Sequence, residues 1–216
     1  MKVLVTGSSK GIGRSIVETF LENGHKVIGF DINPARYIHQ NFTQYIIDIT
    51  SDNLPDIKDI DILVNNAGIQ TQTLKDIDVN LKGTINITEK YGIQSNIKSI
   101  LFMASASAST GAEFPEYVAS KGGMVAYMKN VALRIAQYGA TSNSISAGGV
   151  MTSLNQHIMD DDNLWNAVLN ETLLNKWASA QEIADLTYFL TVNNKSITGQ
   201  DILIDNGEAL KSNFIW

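Results

Sequence analysis

The stretch "KVLVTGSSKGIGRSIVETFLENG", residues 2–24, decides how the rest of the chain is read. A short apolar run enters a cluster with glycines at 7, 11 and 13, and a helical-period segment follows and closes on Gly24. Gly24 is the kind of residue that ends a helix. Strand, glycine turn and helix in this order make a phosphate-binding device, because the turn lets backbone come close and the helix N-terminus points its free N–H groups at an anion. The spacing is not the G-x-G-x-x-G dinucleotide fingerprint, but the mechanics are the same. Taken alone, the turn is also compatible with plain turn chemistry.

Moving outward, further apolar runs follow: "KVIGF" ending at Asp31, "QYII" ending at Asp48, "DILV" ending at Asn65, and "SILFMA" ending at Ser105. Each has strand length and is too evenly apolar for a half-exposed strand, which implies buried parallel strands. Amphipathic stretches alternate with them, among them "ASKGGMVAYMKNVALRIAQYG", closing on Gly139. Ser179 and Glu182 form an S-x-x-E capping box before "IADLTYFLTV", and "QDILID" is a last strand. With the polar run "TSNSIS" accepted as the sixth, the count is about seven strands in a doubly wound α/β sheet. The intervals 32–43, 49–59 and 69–79 are short enough for their crossover helices to be reduced or lost. The polar strand ends should line one crevice, and Asp31, eighteen residues after Gly13, stands where a carboxylate accepts hydrogen bonds from an adenosine ribose diol.

Composition narrows the function. The 216 residues, 44% hydrophobic and 18% charged, suit one domain, 1–216. There is no cysteine and there are three scattered histidines, so no metal site is expected. The formal charge of −6 argues against nucleic acid. Neither a membrane span nor a signal peptide is legible, so a cytoplasmic protein with a small-molecule partner is expected. In "YVASKGG", residues 117–123, Tyr117 and Lys121 lie one helical turn apart and share a face.

Together, "TGSSKGIG", "NNAG" at 65–68, Asn80 in "DVNLKG", Ser105, "YVASK", "NSISAGGVMT" at 143–152 and "TGQDILIDNG" at 198–207 resemble the short-chain dehydrogenase/reductase family across essentially the whole chain. The resemblance implies a Rossmann-like fold, a nicotinamide cofactor, and hydride transfer between a secondary alcohol and a ketone. Asn80, Ser105, Tyr117 and Lys121 correspond to the catalytic set: Tyr117 as general acid and base, Lys121 favouring phenolate and holding the nicotinamide ribose, Ser105 binding the substrate oxygen, Asn80 holding a relay water. By position the cofactor would touch Gly7, Ser9, Lys10, Gly11, Ile12, Gly13, Asp31, Ile32, Asp48, Ile49, Asn66, Ala67, Gly68, Tyr117, Lys121, Gly148, Val150 and Thr152. A homo-oligomer, tetramer or dimer, is also implied, with the tail "NFIW" available to pack against a neighbour.

Several points stay open. Ser107 competes with Ser105, Asp48 could cap its own turn, and "NNAG" could be only a turn. Met124, Met128 and Leu133 read as core or interface. Asp31 favours NAD, while Lys10 is a residue often found with NADP. Ala147-Gly148 stands where the family usually has Pro-Gly, which removes a rigid element, and the intervals 68–80 and 105–117 are short. The segment at about 152–176 is expected to be a substrate lid, with Leu154, Ile158, Leu164 and Trp165 as an apolar cover and Asp160, Asp161 and Asp162 disfavouring anionic substrates. Competing readings are a catalytically silent dinucleotide-sensing protein and a nucleotide-sugar epimerase or dehydratase.

Overall fold

A computed structural model describes residues 1–211; the tail "NFIW" lies outside the described residues. In chain order the elements are β1 (Lys2–Thr6), α1 (Gly11–Glu22), β2 (Lys26–Asp31), β3 (Phe42–Ile46), β4 (Ile62–Asn65), α2 (Thr84–Tyr91), β5 (Ser99–Met103), α3 (Ser107–Thr110), α4 (Pro115–Ile135), β6 (Thr141–Ala147), β7 (Val150–Met151), α5 (Gln156–Met159), α6 (Asp162–Asn170), β8 (Ala178–Ser179), α7 (Ala180–Tyr188) and β9 (Asp201–Ile204). Seven strands form one sheet in the order β3-β2-β1-β4-β5-β6-β9, and β7 pairs separately with β8. Every pairing in the large sheet is parallel. The order reverses direction beside β1, so the carboxyl ends of β1 and β4 open the crevice where ligands bind in such sheets.

Strand alternation explains the two layers. Val3 and Val5 face one core with Ile16, Val17 and Phe20 of α1 and Ile183 and Ala184 of α7. Leu4, between them, faces the other core with Ile87 and Tyr91 of α2 and Met124, Met128 and Val131 of α4. Both faces are therefore covered, which is what evenly apolar strands require. Leu133, read as core or interface, is 80% exposed.

The polar strand β6 is buried along its whole length. Its hydroxyls survive burial because each finds a partner: Ser142 Oγ donates to the Met128 carbonyl at 3.0 Å, Ser144 Oγ to Asp201 at 2.6 Å, and Ser146 Oγ to both oxygens of Asp201 at 2.9 Å. The intervals flagged as short carry no helix over 32–41 or 49–61. Before α2, residues Ile77–Gly83 wind as a π-helix, a form concentrated at functional sites. Ser179 and Glu182 close the capping box of α7 reciprocally, as read from the sequence. No helix among the described residues is long and apolar enough to cross a membrane.

Candidate active site

The glycine turn and the "NNAG" segment hold each other. Thr6 Oγ1 accepts from the Asn66 and Ala67 N–H groups, both at 3.0 Å, while Asn66 Nδ2 donates to the Thr6 and Gly7 carbonyls at 3.0 and 3.1 Å. Gly13 lies under this turn so tightly that a Cβ there would stand 1.9 Å from the Gly7 carbonyl oxygen. Helix α1 begins with no side-chain cap and no acidic residue in its first turn, so its N-terminal donors face the turn unneutralised. These features fit a pyrophosphate. Gly13→Ala should therefore lower Tm and weaken NADH binding by more than about tenfold, a loss of roughly 1.4 kcal/mol or more. Thermal melting and NADH fluorescence read it, and an unchanged Tm would contradict the cramped turn.

Asp31, at the end of β2, accepts from Ser9 N at 2.9 Å and from Asn33 N at 2.8 Å. It thus orders the loop in which a ribose would lie. Lys10 and Ile32 project outward and are exposed, whereas Ile12 and Ile49 turn their side chains into the cores. Asp48 Oδ1 caps its own turn, accepting from the Thr50 N–H at 2.9 Å and hydroxyl at 2.8 Å. Val150 is buried and Thr152 stands beside Gly11. The loop after β6, lacking proline, is clamped otherwise: Gly148 N donates to the Ile204 carbonyl at 3.0 Å, and Trp177 lies so close over Gly149 that a Cβ there would be 2.2 Å from the indole. Trp165 meets Trp177 edge-on at 5.3 Å, which ties α6 to this loop.

Across the crevice, α4 presents Tyr117 and Lys121 beside Ser105, which follows β5. Pro115 at the helix start fixes the entry of the chain. Lys121 is 4% exposed; its ammonium donates to the Met103 carbonyl at 2.8 Å and stands 5.6 Å from the centre of the Tyr117 ring. Burial pulls it down to about 8, against the opposing charges of Glu113 and Asp76. The Tyr117 phenol is pushed up to about 12 by burial, then by Glu113 and Asp76, with Ser105 as a hydrogen-bond partner pulling the other way. The Lys121 ammonium beside the ring is the group placed to favour phenolate against these contributions.

Asn80 is fully buried in the π-helix. Its Oδ1 accepts from Ile69 N at 2.8 Å, while Nδ2 donates to the Ile69 carbonyl at 2.8 Å and to Ser120 Oγ at 3.1 Å. Both amide hydrogens are committed, so the side chain braces the segment after "NNAG". Gly68 lies between Asn80 Oδ1 and Lys121 Nζ, 3.2 and 3.4 Å from where its Cβ would be. Ser107 does not replace Ser105 but backs it, donating from Oγ to Ser105 Oγ at 3.0 Å.

Three carboxyls here are absent from the sequence reading. Asp76 is fully buried, accepting from Thr71 N at 2.8 and 3.1 Å and from Thr71 Oγ1 at 2.7 Å. Glu113 is raised by burial and then by Glu208, with Lys121 pulling the other way. Glu208 is raised by burial, then by Glu171 and Asp205. "GAEFPEY", with a glutamate between a glycine and a proline, was the one local signal for Glu113.

A glycine turn at the head of a parallel sheet, facing a phenol, an ammonium and a hydroxyl in one corner, defines a dehydrogenase-like enzyme of the Rossmann type. The sequence profile of the family described as "Enoyl-(Acyl carrier protein) reductase" matches residues 7–208, and the chain belongs to the short-chain dehydrogenase/reductase family of oxidoreductases. Among relatives, the 3-oxoacyl-[acyl-carrier-protein] reductase of Buchnera aphidicola subsp. Schizaphis graminum is 30% identical over 94% of this chain and 95% of its own. That of Salmonella typhimurium is 29% identical with the same coverage. Among solved structures, 4-hydroxyisoleucine dehydrogenase complexed with NADH matches with a TM-score of 0.87 and 26% identity over 98% of this chain and 99% of that one. A short chain dehydrogenase family protein from Francisella tularensis matches at 0.84 and 28%, over 97% and 99%.

Proposed function

We infer that this protein is an NAD(P)-dependent oxidoreductase interconverting a ketone and a secondary alcohol, with Tyr117 as the proton donor and acceptor. The carrying observation is the convergence of Tyr117, Ser105 and buried Lys121 at the carboxyl end of the sheet, across from the glycine turn. Gly7, Gly11, Gly13, Asp31 and the α1 N-terminus would hold the pyrophosphate and ribose, with Gly68, Lys121, Gly148, Val150 and Thr152 towards the nicotinamide. When bound, the nicotinamide supplies or accepts the hydride. Tyr117 donates or removes the proton on the substrate oxygen, Ser105 holds that oxygen, and Lys121 and Asn80 fix the corner around them. A phenol that keeps its proton suits ketone reduction near neutral pH, and the reductase names of the relatives agree with that direction. The segment at about 152–176 serves as the substrate lid.

The test is a panel of ketones and alcohols read by NADH and NADPH absorbance: cyclohexanone, ethyl acetoacetate, an acetoacetyl thioester and their alcohols. A 3-oxoacyl thioester is itself a ketone, so the relatives' substrates fall inside this reading. Dinucleotide binding without turnover of any member would leave the sensing protein standing instead. Cofactor choice follows from Asp31: a 2′-phosphate beside it would bring like charges together, so NAD(H) is preferred. Asp31→Ala should weaken NADH binding about tenfold, since it removes ribose acceptors together with the contacts that order Ser9 and Asn33. Fluorescence titration with both dinucleotides measures it, and tighter NADPH than NADH binding by the unmodified protein would refute the preference.

A further inference from the structure

We propose that Gln44 is the positioning residue of the adenosine end of the cofactor site, holding Asp31 and the loop after β2 in the conformation that receives the ribose. This rests on the reading of the chain as an NAD(P)-dependent enzyme. The need for such a residue comes from the connection itself. Residues 32–41 carry no helix, so the backbone between β2 and β3 lacks the internal hydrogen bonds that a crossover helix would give it. Left alone, such a stretch samples many conformations, and the contact of Asp31 with the Asn33 N–H would be kept only part of the time.

Gln44 removes that freedom. Strand β3 alternates, so Gln44 lies on the same face as Phe42, which packs against the core layer of α1. From there its amide reaches two other segments of the chain. Oε1 accepts from the Ala35 N–H at 2.6 Å, while Nε2 donates to the Asn33 carbonyl at 2.9 Å and to Ser9 Oγ at 2.7 Å. Ser9 Oγ in turn donates to the same Asn33 carbonyl at 2.6 Å. Asp31 closes the ring from the other side, with one oxygen on the Ser9 N–H at 2.9 Å and the other on the Asn33 N–H at 2.8 Å. The glycine turn, the loop after β2 and strand β3 therefore meet at one amide. Tyr37 adds a second tether: its hydroxyl donates to the Ser8 carbonyl at 3.1 Å and its ring stacks on Phe42 at 4.9 Å.

The partners fix which end of the amide is which, because the Ala35 N–H can only donate and the Asn33 carbonyl can only accept. Both amide hydrogens and the amide oxygen are thus used inside the protein, and Gln44 acts on a dinucleotide only through Ser9, Asn33 and Asp31. Each Asp31 oxygen accepts one backbone N–H and keeps a further lone pair for a ribose hydroxyl. A carboxylate held in this way meets the diol without first being ordered, and such preorganisation raises affinity with no contact of its own. The same rigidity bears on selectivity. A fixed Asp31 cannot swing away from a 2′-phosphate, whereas a loosened one can, so Gln44 strengthens the exclusion of the phosphorylated cofactor.

The experiment uses Gln44→Met, which keeps the length of the side chain and loses its three hydrogen bonds. NADH should bind about tenfold more weakly by fluorescence titration, and the preference for NADH over NADPH should narrow. With ethyl acetoacetate at saturating NADH, kcat should stay within about twofold, since the corner of Tyr117 is untouched. Gln44→Glu keeps the acceptor for Ala35 but offers no donor to Ser9 or Asn33, so it should not restore affinity. The decisive measurement is a double-mutant cycle. In an Asp31→Ala background, Gln44→Met should weaken NADH binding by less than about twofold more, because its effect passes through a carboxylate already removed. NADH affinity of Gln44→Met within about twofold of the unmodified protein, or a further loss of about tenfold in the Asp31→Ala background, would overturn the proposal. A residue that merely supported the fold would give that second, additive result. Failure of the parent reading is separate, since there the unmodified protein itself would bind neither dinucleotide.

Discussion

Tyr117→Phe is expected to lose at least about 10²-fold in turnover, and as much as about 10⁴-fold, the range of a positioned general acid. The ring stays, so the packing of α4 and the cation face offered to Lys121 are retained. Only the oxygen goes, and with it the proton donor and the partner of Ser105. NADH affinity should be nearly unchanged, since in the proposed reaction the hydroxyl serves the substrate oxygen. Oxidation by the unmodified protein should rise with pH up to the alkaline limit of its stability, because the phenol stands at about 12 and must ionise to accept a proton. Steady-state rates across pH, with fluorescence titration of NADH, measure all three. Near-normal turnover by the variant would return Tyr117 to a packing role.

Lys121→Met is expected to damage function broadly and still yield a protein as stable as the original or more so. Turnover should fall by about 10²-fold or more and NADH should bind at least about tenfold more weakly, because in the proposed function one ammonium serves both the corner of the phenol and the nicotinamide side. Stability should move the other way. Lys121 stands at about 8 in the folded protein against an ordinary 10.5, so the unfolded chain holds the proton more readily between those values. The stability of the unmodified protein therefore rises with pH across that window, and below it the native state bears the full cost of a buried ammonium. Methionine removes that cost, while the Met103 carbonyl loses a hydrogen bond of about 1 kcal/mol. Tm near neutral pH should be equal or higher, with the difference vanishing at alkaline pH. A marked fall in Tm would show that the lysine stabilises the fold, contrary to the usual opposition between function and stability at such sites.

The strands were legible because burial on two faces writes itself as unbroken apolar runs, and "KVLV" and "SILFM" carry that signature without any knowledge of their neighbours. Strand β6 was the weak case, since its polarity makes sense only with Asp201 of β9 beside it. Missing crossover helices could be read from chain length, but the π-helix at Ile77–Gly83 could not, because its register follows from bringing Asn80 onto the Ile69 backbone. The site divides in the same way. Tyr117 and Lys121 share a helix turn, a local relation. Asp76 acts on Tyr117, and Glu208 on Glu113, only once segments far apart in the chain converge, and nothing in their own surroundings announces it. The raised phenol follows first from burial and then from Glu113 and Asp76, and burial of this kind is a property of the folded chain.

The serine hydroxyls of β6 that end on Asp201 also bear on how the chain assembles during synthesis. Strand β9 leaves the ribosome after the six other strands of the sheet, and until it arrives Ser144 and Ser146 have no carboxylate to bond. Closing β6 into a dry interior before then would strand two hydroxyls, at a penalty of about 1–3 kcal/mol each. The half-made sheet is thereby kept open on that side, with water at β6, until the long-range pairing to β9 forms. Completion of the nicotinamide-side loop, which β9 supports through the bond from Gly148 to Ile204, comes in the same late step.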